Sequence, residues 1–128
     1  MSINEKKLLD VYQLINQFLD YLNQKDQHQL EEKFELSSAM YEEIIEELER
    51  NFDNNSYVLS LIPFSEIESV KVKSPNRPIF EIEDTDEDGE FIVECNIYNK
   101  SKITDLILQG YLEYEDGILK FTLPLFRS

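Results

Sequence analysis

The sequence predicts an α+β fold in a single domain, residues 1–128: two N-terminal helices packed on a curved antiparallel meander of about five strands. Three observations predict it. Apolar residues recur at three- and four-residue spacing between Asn4 and Asn23, and again between Ala39 and Phe52, which is the period of an amphipathic helix. From Ile79 onward the apolar period falls to two, as in a strand with one buried face. Asp116-Gly117 separates two such runs and makes a strong two-residue hairpin turn, because both central positions need positive φ.

In the first helix, Leu8, Val11, Tyr12, Ile15, Phe18, Leu19 and Leu22 form one apolar stripe, widened by Leu14 and Tyr21. A coiled coil competes, but the pattern ends after about three heptads and lacks ordered flanking charges. Residues 24–36 form a polar connection with room for a short helix, anchored inward by Leu30 and Phe34. Ser37 or Ser38 caps the second helix. Met40, Tyr41, Ile44, Ile45, Leu48 and Phe52 make its buried stripe, and Glu42, Glu43, Glu46, Glu47 and Glu49 its outer face. Asp53 to Ser56 stop it. Tyr57 to Phe64 is apolar and short. Pro63 keeps it from being a regular central strand, so it reads as a link packing its leucines under the sheet.

The meander begins with Val70 and Val72 pointing inward, followed by a turn at SPNRP, residues 74–78. Ile79 to Glu83 is the next strand, and the DTDEDG loop sets Ile82 opposite Phe91 and Phe80 opposite Val93. A turn at Asn99 to Lys102 pairs Ile97 with Thr104, Cys95 with Leu106, Val93 with Leu108 and Phe91 with Gly110. The Asp116-Gly117 turn pairs Tyr114 with Leu119, Leu112 with Phe121 and Gly110 with Leu123. In these registers Leu106, Leu108, Leu112 and Tyr114 share one buried face with Leu119, Phe121, Leu123 and Leu125, and a slip of one residue would turn each set to water. Gly110, inside a strand, marks a bend or bulge and hence a sheet that curves around the first helix.

Twelve basic against 27 acidic residues leave a net charge of −15. That balance disfavours nucleic acid and anionic membranes, both of which require basic patches. It suits solubility or a basic protein partner. No run approaches the roughly 20 apolar residues of a membrane span, and the lysines of the N-terminus precede no apolar stretch of the secretory kind. The single cysteine, Cys95, fits a reducing cytoplasm and, by its neighbours, a core position.

No catalytic triad, metal cage or phosphate loop is legible, which points away from an enzyme and from any cofactor. His28, the only histidine, lies among Gln, Asp and Glu and reads as a solvated side chain. Asp84, Asp86 and Asp88 followed by Gly89 match the opening half of a calcium-binding loop. The closing bidentate glutamate is replaced by Cys95, and both flanks are strands, so an acidic hairpin loop is the plainer reading. The sheet face opposite the core carries Glu94, Asp105 and Glu113 with Tyr98, Gln109, Tyr111, Ile92 and Ile107. Tyrosine is large, rigid and polar-tipped, as interfaces favour, so a partner or a second copy of the chain could cover this face.

The segments YLNQKDQHQLEEKF, SSAMYEEIIEEL, FSEIESVKVKSPNRPIFEIE and SKITDLILQGYLEYEDGILKFTL resemble those of a small uncharacterised bacterial family of the cystatin-like, nuclear-transport-factor-like superfamily. The resemblance implies a cone of curved sheet around a helix. Enzymatic members carry His/Asp or Tyr/Asp pairs inside that cone, where this chain has leucine, phenylalanine and valine. Small acidic proteins of this sort also resemble the immunity proteins that neutralise bacterial toxins. The expectation is therefore a cytoplasmic protein-binding module that occludes a basic surface with Glu and Asp, anchored by Tyr98 and Tyr111. A ligand-binding or enzymatic cone and an acidic mimic of nucleic acid are the alternatives.

Overall fold

The computed structural model describes residues 5–52, 57–67, 80–85 and 89–127. Three helices, α1 (Glu5–Gln24), α2 (Gln27–Phe34) and α3 (Ser38–Asn51), precede the sheet. Its strands are β1 (Leu59–Ser60), β2 (Phe80–Asp84), β3 (Glu90–Asn99), β4 (Lys102–Glu115) and β5 (Ile118–Arg127). The sheet is antiparallel and curls into a half-barrel, in agreement with the predicted class. Its order is β1-β3-β4-β5, and β2 also pairs with β3. Because β4 occupies one edge of β3, β1 and β2 share the other, lying end to end against Tyr98–Asn99 and Phe91–Cys95 respectively. The expected strand at Val70 and Val72, the SPNRP turn and the Asp53 to Ser56 stop lie outside the described residues.

The polar connection folds into α2, so the described residues hold three α-helices where two were firmly legible. Lys25 takes a left-handed conformation, φ 56°, and closes α1 with two backbone bonds, Lys25 N–H to Leu22 O at 3.0 Å and Asp26 N–H to Tyr21 O at 2.9 Å. That is the double closure of a Schellman turn. Asp26 then caps α2, its carboxylate accepting from Gln29 N–H at 3.2 Å. Ser37 caps α3 in the same way through Met40 N–H, also at 3.2 Å.

The core lies between α1 and the concave side of the sheet. Phe18 is fully buried, and its ring meets Phe34 of α2 edge-on at 5.2 Å and Phe121 of β5 at 5.3 Å. Leu30 and Phe34 are buried as expected. Tyr12 sends its hydroxyl to Ile62 O at 2.7 Å and packs on Phe64 and Phe80. The link at Tyr57 to Phe64 buries Leu59, Leu61 and Ile62. It also gains a short strand, because two asparagines grip its backbone. Asn23 Nδ2 donates to Leu59 O at 2.9 Å while Leu59 N–H donates to Asn23 Oδ1 at 2.7 Å. Asn99 Oδ1 accepts from Val58 N–H at 2.8 Å.

The hairpin registers hold next to the turns and shift beyond them. Asp116 (φ 54°) and Gly117 (φ 80°) take the expected left-handed pair, as do Lys100 (φ 51°) and Ser101 (φ 68°). Past the second of these turns, Tyr98 pairs with Ile103 but Asn96 pairs with Ile107, so Ile97 faces Thr104, Asp105 and Leu106. The expected partners Cys95–Leu106, Val93–Leu108 and Phe91–Gly110 are replaced by Cys95–Leu108, Val93–Gly110 and Phe91–Leu112. Two extra residues preserve the alternation of faces, so Leu106 and Leu108 still point into the core. Side chains staple the bulge. Asn96 Nδ2 donates to Thr104 O at 2.7 Å and Leu106 O at 3.1 Å, and Thr104 Oγ1 donates to Ile97 O at 2.6 Å. Asn96 is fully buried, and its Oδ1 has no partner among the described residues. The β2–β3 register also moves by two, to Phe80–Cys95 and Ile82–Val93, again without changing faces.

The β4–β5 shift is of one residue, with the opposite consequence. Tyr111 pairs with Thr122 but Gln109 pairs with Leu125, so Gly110 faces both Leu123 and Pro124. The expected pair Gly110–Leu123 does not form. Leu123 adopts φ 50°, and Leu123 and Leu125, expected inside, are 60% and 45% exposed. Phe126 is buried in their place. The bulge expected from Gly110 is thus present, with the extra residue on β5.

Candidate functional site

The convex face of the sheet carries most of the side chains singled out in the sequence. Across it, Glu94 stands beside Gln109, Ile92 beside Tyr111, and Glu113 between Glu90 and Lys120. Asp105 leaves this row because it sits in the β4 bulge, where it is exposed. Tyr98 lies toward the β1 end, lining a cleft of about 300 Å³ with Ser60, Leu61, Pro63, Glu66 and Ser101. Glu94, Gln109, Tyr111 and Glu113 are therefore brought together, and Tyr98 and Asp105 are displaced toward the turn. Asn96 and Ile107, on the same face, are buried.

Cations of the chain already engage several acids of this face. Arg127 donates from Nε to Gln109 Oε1 at 3.2 Å and from its guanidinium to Glu94. Lys120 stands 3.2 Å from Glu115 and 3.8 Å from Glu35, and the hydrogen bond to Glu115, then its charge, raises the lysine's pKa. Exposed pairs of this kind contribute little stability, but Arg127 offsets the charge of Glu94, and Lys120 stands opposite Glu113 in the ladder.

The acids of α3 are different. Glu47 pairs with Arg50 at 2.8 Å, whereas Glu42, Glu43, Glu46 and Glu49 have no cation within ion-pair distance among the described residues. Alongside this acidic helix runs a groove of about 440 Å³, floored by Met40, Ile44, Leu123 and Leu125 and rimmed by Glu43 and Glu46. Leu125 also neighbours Gln109 on the convex face, so groove and face are continuous. The sequence reading missed the groove because it placed both leucines inside. Pro124 was the available signal, since proline within a strand marks an edge or a bulge.

The remaining candidates carry no assembled chemistry. His28 is 74% exposed on α2, with its Nε2 3.6 Å from Glu32. Among the described residues no group of three or more His, Cys, Asp or Glu is placed to hold a metal. Asp84 ends β2 opposite Phe91, while Asp86 and Asp88 of the calcium-loop match lie outside the described residues. Among the described residues no helix is long and apolar enough to cross a membrane.

Cys95 is fully buried, and burial, followed by the nearby Glu94 carboxylate, pushes its thiol pKa up. The native state thus keeps the proton where the unfolded chain would lose it. This stabilising contribution is whole below the ordinary thiol range and declines as pH rises above it. Unfolding free energy is expected to fall by about 1.5 kcal/mol between roughly pH 8.5 and 10 from this group. Urea midpoints at the two pH values check it, and the Cys95→Ala variant should lack that part of the decline.

No family model, no curated protein and no solved structure matches the chain.

Proposed function

We propose that this chain is an acidic protein-binding module that docks on a basic polypeptide surface, with neutralisation of a bacterial toxin domain as its specific form. The observation that carries the reading is the placement of Glu43 and Glu46 of α3, which have no cation among the described residues, beside the exposed Leu123 and Leu125. Like charges gathered on one helix steer a basic partner into encounter, and desolvated apolar contact then holds it. Tyr111 and Gln109 extend the contact across the convex face, with Tyr98 as an outlying anchor. In this reading the protein acts by occlusion and performs no catalysis. Its charge repels nucleic acid and anionic lipid.

Affinity purification from the native host, at physiological and at low salt, tests the reading. A basic protein is expected in stoichiometric amount, released at about 1 M salt, where the Debye length is about 3 Å. Recovery of the chain alone under both conditions would overturn it. Recovery as a homodimer that buries Tyr111 would assign the convex face to a second copy instead.

A further inference from the structure

We propose that the groove between α3 and β5 seats a lysine- or arginine-rich segment of the partner that carries apolar anchor residues. This rests on the acidic-module reading and says where, and by what chemistry, the contact is made. The floor is apolar: Leu123 is 60% and Leu125 45% exposed, and Met40 and Ile44 lie opposite them. Of the groove's glutamates, Glu47 is held by Arg50, which leaves Glu43 and Glu46 on the rim without a cation among the described residues. An apolar floor beneath two unpaired carboxylates complements a chain in which basic and apolar side chains alternate. An acidic or purely polar segment would leave either the charge or the floor unmatched.

The backbone narrows the binding mode. Among the described residues β5 is the terminal strand of the sheet, with no strand paired on its far edge. Within the groove, however, Pro124 has no N–H and the bulge at Leu123 interrupts the ladder. A continuous sixth strand is therefore disfavoured there, and side chains hold the segment. That makes recognition depend on the anchors and the rim charges rather than on backbone pairing.

The test is fluorescence anisotropy with a labelled peptide of alternating lysine and leucine. Controls are alternating lysine and serine, and alternating glutamate and leucine. The wild-type protein is expected to bind the first at least about tenfold more tightly than either control. The combined variant Leu123→Ser/Leu125→Ser should weaken it by about tenfold or more, and Glu43→Gln/Glu46→Gln should weaken it and flatten its salt dependence. Leu9→Ser, which removes an exposed apolar side chain of α1, should leave affinity within about twofold. Thermal melts of each variant establish that the fold persists. Equal binding by wild type and the leucine variant would overturn the groove assignment while leaving the acidic module standing. Absence of binding to the lysine–leucine peptide would also overturn the groove, and the host purification then decides the broader reading by itself.

Discussion

Replacing Phe18 by alanine is expected to lower the unfolding free energy by about 4 kcal/mol and the melting temperature by roughly 15 °C. Phe18 is fully buried where three elements meet: its own helix, α2 through Phe34 and β5 through Phe121. Truncation removes the apolar transfer energy and leaves a cavity whose walls belong to separate elements. Those walls cannot collapse together without moving a helix or a strand. Total stability of a domain this size is about 5–15 kcal/mol, so the loss is a large share. Phe18→Leu keeps most of the volume and should cost about 1.5 kcal/mol or less. Double-mutant cycles pairing Phe18 with Phe34 and with Phe121 should each return about 0.5–1.5 kcal/mol of coupling beyond area burial. Urea denaturation with an unchanged m-value is the measurement. A loss below about 1 kcal/mol for the alanine variant would mean that the three rings do not hold the elements together.

Gly110→Ala should cost about 3 kcal/mol, although alanine ordinarily improves on glycine in a strand interior by up to about 1 kcal/mol. A Cβ at this position would point into the core and overlap the Phe121 ring, with Phe121 Cζ at 2.8 Å and Thr122 O at 3.2 Å. The ring is buried and also carries the edge-on contact to Phe18, so moving it aside disturbs core packing. Glycine is required here by close approach, not by φ. The decisive comparison is Gly110→Ala in a Phe121→Leu background, where the clash is gone. The second substitution should then cost less than about 1 kcal/mol, giving a coupling of about 2 kcal/mol. Additive losses would show that the Phe121 ring is not what excludes a side chain at residue 110.

These two positions also show how far pattern could be read. Phe18 was legible as core from its helical period alone. Gly110 was legible as a bend, but the residue that fills its missing side chain was not. The sequence reading set Phe91 and Leu123 opposite it, while Val93 and a Leu123–Pro124 bulge stand there. Turn chemistry specifies pairing only within a few residues of the turn. Beyond that, any bulge resets the count. The two-residue bulge at Thr104–Leu106 displaced Asp105 but left Leu106, Leu108 and Leu112 pointing inward, because the alternation of side chains has period two. The one-residue bulge at Leu123–Pro124 reversed them, which is why Leu123 and Leu125 emerge on the surface and Phe126 enters the core.

The candidate site follows the same division. The acidic outer face of α3 was read directly from the spacing of its glutamates, and the continuity of Glu94, Gln109, Tyr111 and Glu113 from strand alternation. Arg127, which engages Glu94 and Gln109, is 33 residues from Glu94 in the chain, beyond the reach of any local pattern. Its role is set by a register that only the β5 bulge creates.

Helix stripes, the serine cap of α3, the Asp116-Gly117 turn and the inward parity of β3 and most of β4 were determined by the amino-acid order alone. Each depends on residues within one or two turns of backbone. The grip of Asn23 and Asn99 on residues 58 and 59, the bulged registers and the groove against α3 were decided only by tertiary contact. Each depends on groups distant in sequence whose free energies balance locally: a ring seeking the space over a glycine, a buried amide seeking carbonyls, a strand giving up one residue of alternation to satisfy both.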